Sequence, residues 1–344
     1  MLWSFVVLAI LLVLVSNGPS QIAFEALASA LAFFAGQFLT IGGFDVLRSG
    51  AELRAIDGQW AVKVTEVCDG HGLLAAWLLL AMVWKGPRPT RAAIRWLLAG
   101  VVAIQAFNLA RIIILAATIA TSPGTFEFMH LTVFPLATAL LMVTLAAPMA
   151  GIALRHLALI AMIAIMTSLV WYALSGPLSA LVLAPSANLI LGFLQPEALG
   201  LLEERSATWV LRTRFVASAE PLRLHLAAIN PADFAIFLPV LLAVLAFSRR
   251  LGQAVVVLAA SLIMATLATA LGAMTAAWSL VEHLGVRTMV IDIGSGQVRE
   301  VAYSLPAETL RSGAAVVQNT IVHFNLLVLP AVCLTTLRKA ADAD

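Results

Sequence analysis

The sequence predicts an all-α polytopic membrane protein of about nine transmembrane helices, with β-hairpin segments on the extracytoplasmic side. Composition is the first of three observations behind this. Of 344 residues, 62 % are hydrophobic and only 11 % charged, against roughly 45–50 % apolar and about 25 % charged in soluble domains. The second is a succession of apolar runs of about the 20 residues a helix needs to cross a bilayer. The third is the side-by-side alternation of basic residues between those runs. Composition also excludes a disordered chain and a secreted disulfide scaffold. A formal net charge of +2 with no basic block argues against nucleic-acid binding.

Nine spans are expected: Met1–Val15, Ile22–Ile41, His71–Trp84, Trp96–Ala120, Phe128–Ala150, Leu157–Leu174, Asp233–Phe247, Leu251–Val281 and Val316–Leu337. The first lacks a basic n-region and a small-x-small cleavage site, so it reads as a retained helix rather than a signal peptide. The eighth is long enough to be tilted or broken near Gly272. Lys85, Arg88, Arg91, Arg95, Arg155, Arg249, Arg250, Arg338 and Lys339 fall in one alternate set of short loops, opposed only by Asp342 and Asp344. The positive-inside rule makes that set cytoplasmic. The N-terminus is then expected outside and the C-terminus inside.

The other set of loops is longer and patterned. Asp57-Gly58 within Leu53–Val67 predicts a hairpin with a type I′ turn. Leu222, Leu224 and Leu226 alternate with Arg223 and His225 inside Arg205–Ile229. Gly294-Ser295-Gly296 divides two strand-like runs in Arg287–Leu305. A break near Arg155 splits the chain into residues 1–154 and 155–344.

Chemistry gathers in the first part. Arg111 lies inside the fourth span, where an arginine costs roughly 2.5–3.5 kcal/mol and usually faces an interior or a wet cavity. Asn108 precedes it by three residues, on the same helical face. The pair either locks helices together or serves a site. Cys68, in EVCDGHG, stands at the outer end of the third span, and Cys333 in the last span reads as packing. In an oxidising compartment a lone outer cysteine is either buried or used. Asp69, Gly70, His71 and Gly72 make its surroundings open and polar, and glycines admit a close backbone. Asp69 and His71 could orient a site or simply form an interfacial turn. His130 opens the fifth span, as an interfacial anchor or as a reactive group. Cys68, Arg111 and His130 thus fall in the outer half of three successive spans.

Together these are the parts of a cysteine acyl-transfer site. A thiolate attacks, His130 takes and returns a proton, and Arg111 stabilises an oxyanion. A metal site built from Cys68, His71, Glu127 and His130 is disfavoured, because no close-spaced ligand pair is present. No cofactor is expected.

Val67-Cys68-Asp69-Gly70, then Asn108-Leu109-Ala110-Arg111, then His130 at the start of the following helix, resembles the exosortase/archaeosortase family over about residues 1–150. The resemblance implies a polytopic membrane cysteine protease/transpeptidase with Cys68 as nucleophile and Arg111 and His130 completing the site. Asn108, Asp69, Gly70 and His71 would bind or orient substrate. The implied partners are exported proteins with a C-terminal motif, a transmembrane helix and a basic tail, in a setting of membrane lipid. Ile229-Asn230-Pro231 before an apolar span resembles membrane proteins associated with the exosortase H subtype, which would make residues 155–344 an accessory domain. Extra stabilising spans are the alternative for that half. Trp209, Arg212, Arg214 and Arg223 read as a solvated sheet face or as substrate contacts. Two other functions remain open: a transporter or channel using Arg111, and a non-catalytic assembly factor.

Overall fold

The computed structural model describes residues 20–64, 73–74, 76–78, 80, 90–194, 200–205, 208–216, 224–248, 251–284, 288–292 and 298–334. It divides into two compact units: 1–164 with 240–249 and 326–344, and 165–239 with 250–325.

In the first unit, α1 (Ser20–Ile41) leads into a meander of β1 (Val46–Ser49), β2 (Glu52–Ala55) and β3 (Ala61–Lys63). Pairing is antiparallel throughout, with Ser49 opposite Glu52 and Arg54 opposite Ala61. The tight turn is therefore Gly50-Ala51, and Gly50 takes the positive φ it demands, 58°. Asp57-Gly58 does not make the expected two-residue turn. Ala55 N–H donates to Trp60 O, so residues 56–59 form a wider loop. Asp57 Oδ1 closes it by accepting from Gln59 N–H at 3.0 Å.

The long helix α2 (Thr90–Thr121) follows. Pro123 then starts α3 (Pro123–Phe128), which runs through a π-helical turn (Met129–Val133) into α4 (Phe134–Ala146). The unit's core joins these parts: Ala28, Leu31, Ala32, Ala35 and Leu39 of α1 pack with Leu53, Val64, Ile112 and Ala116. Val64, just past β3, therefore shares a cluster with the residue next to Arg111. At the other end of α2, Trp77 is fully buried and donates from Nε1 to Leu97 O at 3.1 Å. A Cβ on Gly100 would fall inside its indole. Trp96 packs tilted against Trp77, ring centroids 4.1 Å apart, and donates from Nε1 to Leu145 O, tying α2 to α4.

Helix α5 (Leu154–Leu178) continues through a second π-helical turn (Ser179–Leu183) into α6 (Ala184–Leu194). In the second unit, β4 (Leu202–Arg205), β5 (Thr208–Val216), β6 (Leu224–Ala228), β7 (Thr288–Asp292) and β8 (Val298–Ala302) form one sheet. Its central strand is β5, which pairs with β4, β6 and β7. Leu202, Leu211 and Phe215 pack on Ala184, Ala187 and Leu191 of α6 and on Ala273, Ala277 and Trp278 of α8 (Leu251–Leu284). Asn188 fixes the first strand to α6. Its Nδ2 donates to Leu202 O at 3.1 Å and its Oδ1 accepts from Leu202 N–H at 2.7 Å. The remaining helices are α7 (Leu238–Ser248) and α9 (Glu308–His323), the latter extended by a third π-helical turn (Phe324–Val328).

Among the described residues, six helices are long and apolar enough to cross a membrane: Ile94–Thr121, Gly124–Ala146, Ala173–Leu194, Pro231–Ser248, Ala254–Glu282 and Glu308–Leu334. Large apolar side chains lie exposed along them, including Val102, Leu189 and Ile263, as a hydrocarbon solvent permits. The chain is thus a mostly helical, polytopic membrane protein.

The expected count of nine differs from this in three ways. Met1–Val15 lies outside the described residues, as does most of His71–Trp84. Ile22–Ile41 and Leu157–Leu174 correspond to shorter apolar helices, Glu25–Ile41 and Arg155–Trp171. Ala173–Leu194 is not among the expected spans, and its sequence carries Gly176, Pro177 and Pro185, residues that usually interrupt helices. The structure keeps all three inside helix, Gly176 and Pro177 within α5 and Pro185 directly after the π-helical turn. The eighth expected span is not broken at Gly272. Helix α8 runs through it, with Phe234 packed so closely that a Cβ there would stand 2.7 Å from its Cζ.

Candidate functional site

Three polar residues interrupt the apolar sequence of α2 at three-residue steps: Gln105, Asn108 and Arg111. Each step advances about 4.5 Å and turns the face by about 60°, so they form a slanted stripe about 9 Å long. Around it lie Ile104, Ile112 and Leu115, all buried. Asn108 is completely buried, and among the described residues neither of its amide atoms has a hydrogen-bond partner. Both amide atoms of Gln105 are likewise buried and unpartnered, as is Arg111 Nε. A buried amide left without partners costs about 1–3 kcal/mol, so this stripe is maintained at the expense of stability.

His130 comes to the stripe from the next helix. Ser122, extended at φ −158°, ends the link after α2, and Pro123 restarts the helix at once. The Arg111 guanidinium acts electrostatically on the His130 imidazole. That imidazole stacks on Phe126, one turn earlier, at 5.5 Å and 11°. Its Nδ1 is buried and unpartnered. His130 sits in the π-helical turn Met129–Val133, a geometry that often marks functional positions. One turn beyond, Phe134 meets Phe107 edge-on at 6.1 Å, setting α4 against the helix that carries the stripe.

Asn108 and Arg111 thus share one side of α2, and half-buried His130 of the following helix lies within electrostatic reach of Arg111. Cys68, Asp69, Gly70 and His71 lie outside the described residues. Gln105 is the member that sequence reading missed, although its three-residue step from Asn108 repeats the step to Arg111. Among the described residues, no three His, Cys, Asp or Glu side chains converge as a metal site. In the second unit, Arg212 is exposed between buried Leu211 and Thr213 on β5, the alternation of a one-sided sheet face. Cys333 is buried, 4 % exposed.

Chemically, the region offers a fixed cation, an imidazole with an open ring nitrogen, and two amides able both to donate and to accept. All sit in a low-dielectric setting where such groups act strongly. Residues 1–133 match the family model described as transmembrane exosortase (Exosortase_EpsH). Nothing among curated proteins and nothing among solved structures matches the chain.

Proposed function

We propose, on the premise that residues 1–133 belong to the transmembrane exosortase family, a family of membrane transpeptidases, that this chain cleaves C-terminal sorting signals of exported proteins through a thioester on Cys68. The observation that carries the proposal is that half-buried His130 lies within electrostatic reach of half-buried Arg111 on the preceding helix, each with a buried nitrogen that has no hydrogen-bond partner among the described residues. In this reading Cys68 Sγ attacks the scissile carbonyl and His130 accepts the thiol proton. Arg111 holds the oxyanion of the tetrahedral intermediate. Collapse of that intermediate expels the amine, which takes its proton from His130. An amine acceptor or water then attacks the thioester and regenerates the thiol.

Two fixed points bracket Cys68 and support its role. Val64, four residues before it, packs in the cluster that holds Ile112, next to Arg111. Four residues reach at most about 14 Å. Trp77, nine residues after Cys68, is anchored at Leu97 and against Gly100, eleven residues before Arg111.

The active site would face the extracytoplasmic side of a bacterial inner membrane, and residues 155–344 would serve as an accessory domain. Co-expression with an exported protein bearing a motif, a transmembrane helix and a basic tail tests the proposal. Wild-type protein should remove the C-terminal helix, and Cys68→Ala should leave it attached. Full processing by Cys68→Ala would end the covalent mechanism. It would favour a transporter that binds an anion at Arg111, a reading that draws on the same half-buried guanidinium.

A further inference from the structure

The unpartnered amides of Gln105 and Asn108 have no task in the reaction as drawn above. Both carry a donor and an acceptor, and among the described residues both are buried without partners. One peptide unit presents the complementary pair, an N–H and a C=O. The protein already uses this pairing once: the Asn188 amide holds both backbone groups of Leu202, at 3.1 and 2.7 Å. Backbone that leaves a helix inside a bilayer must find such partners, because no water is there to serve.

Size and direction fit an extended peptide. The stripe from Arg111 to Gln105 covers about 9 Å, the length of roughly three residues of extended chain at about 3.3 Å each. With Arg111 at the scissile carbonyl, Asn108 and then Gln105 lie along α2 toward its start, away from the outer side in the orientation proposed above. The substrate residues passing that way are those just after the scissile bond, where the substrate's own membrane helix begins. The first N–H groups of any helix lack intrahelical partners.

We infer that Gln105 and Asn108 form a cradle for peptide backbone, holding the unwound first turn of the substrate's transmembrane helix immediately past the scissile bond. The inference rests on the sorting-signal reading and adds to it a binding site for the leaving segment. Unwinding that turn exposes the scissile amide to attack, and the two amides replace the hydrogen bonds that the turn gives up.

The test uses the full chain, with Gln105→Leu made both in the wild type and in the Cys68→Ala background. Capture of uncleaved tripartite substrate by the Cys68→Ala protein should fall at least tenfold when Gln105→Leu is added. Processing by Gln105→Leu alone should fall similarly. Thermal stability in detergent should hold or rise, because an apolar side chain of similar size replaces an unsatisfied amide. A substrate with two glycines in the first turn of its membrane helix, already easy to unwind, should recover most of the lost processing. Normal processing of the ordinary substrate by Gln105→Leu would overturn the cradle. So would a drop in stability that tracks the loss of processing, with no recovery on the glycine substrate. If instead Cys68→Ala alone processes substrate, the sorting-signal reading fails, and the cradle fails with it for that separate reason.

Discussion

Replacing Gly100 by Ala should damage the protein only because Trp77 is there. A Cβ at residue 100 falls inside the indole, and Trp77 would have to withdraw until the gap reached the 3.4 Å at which ordinary contact begins. Trp77 cannot withdraw freely. It is fully buried, bonded to Leu97 O at 3.1 Å and packed against Trp96 with ring centroids 4.1 Å apart. Overpacking of this kind costs about 1–3 kcal/mol. Alanine also has about 1 kcal/mol more helix propensity than glycine, so the net loss in the wild type is smaller than the clash. In the Trp77→Ala background the clash is gone and only the propensity gain remains, so the same substitution should become neutral or stabilising. Propensity cancels between the two backgrounds, which leaves about 1–3 kcal/mol of coupling. Equilibrium unfolding in mixed micelles reads all four proteins of the cycle. An equal effect of Gly100→Ala in both backgrounds would refute the packing argument. Trp77 stands nine residues from Cys68, so the single variant should also lose processing; displacing a reacting group by about 1 Å can cost 10²-fold.

Further outcomes are expected. Arg111→Lys should fail to restore processing although it keeps the charge, because lysine lacks the planar fork of donors; near-normal rates in the gel assay would remove the oxyanion role. His130→Ala should slow processing by about 10²–10⁴-fold while Cys68 stays reactive toward a small maleimide in spheroplasts. In the second unit, Tyr303→Phe should cost about 1 kcal/mol in an unfolding titration, because Trp278 Nε1 donates to the phenol oxygen at 3.0 Å. Burial holds the Tyr303 phenol above its ordinary ionisation range, and its bond to Trp278 offsets this only in part. The neutral phenol is thus favoured in the folded state. Stability should be unaffected below about pH 10 and should fall as pH rises through and above that value, a fall that Tyr303→Phe should flatten.

Much of the site was legible because polar residues stand out against hydrocarbon-compatible sequence. Arg111 and Asn108 in FNLARIII, and His130 in FEFMHLTVF, are conspicuous there, and the structure gathers them. Gln105 was equally visible but carries no charge and belongs to no motif, so only its burial without partners distinguishes it. The sheet was half legible. Alternation marks Leu224 and Leu226 as strand, yet nothing local says that Phe215 pairs with Met289 across more than seventy residues. Residues 173–194 were misread for a definite reason. Gly176, Pro177 and Pro185 are breakers when taken singly, whereas an apolar chain with no water to bond its backbone holds its helix through them. The wider turn at Ser179–Leu183 accommodates the strain.

Such wide turns occur three times among the described residues: Met129–Val133, Ser179–Leu183 and Phe324–Val328. Each contains one polar residue with a buried, unpartnered atom: His130 Nδ1, Ser179 Oγ and Asn325 Oδ1. A π turn is a helix that has absorbed a surplus residue, so it shifts the angular phase of everything beyond it by about 100°. In the helix that carries His130, Phe126 and His130 thereby keep their aim while Thr138, Met142 and Ala146 settle independently into the interior. Deleting Leu131 would straighten the turn into α-helix and swing one of these two sets away from its neighbours. Point substitution can erase the imidazole; only a change of length can turn it.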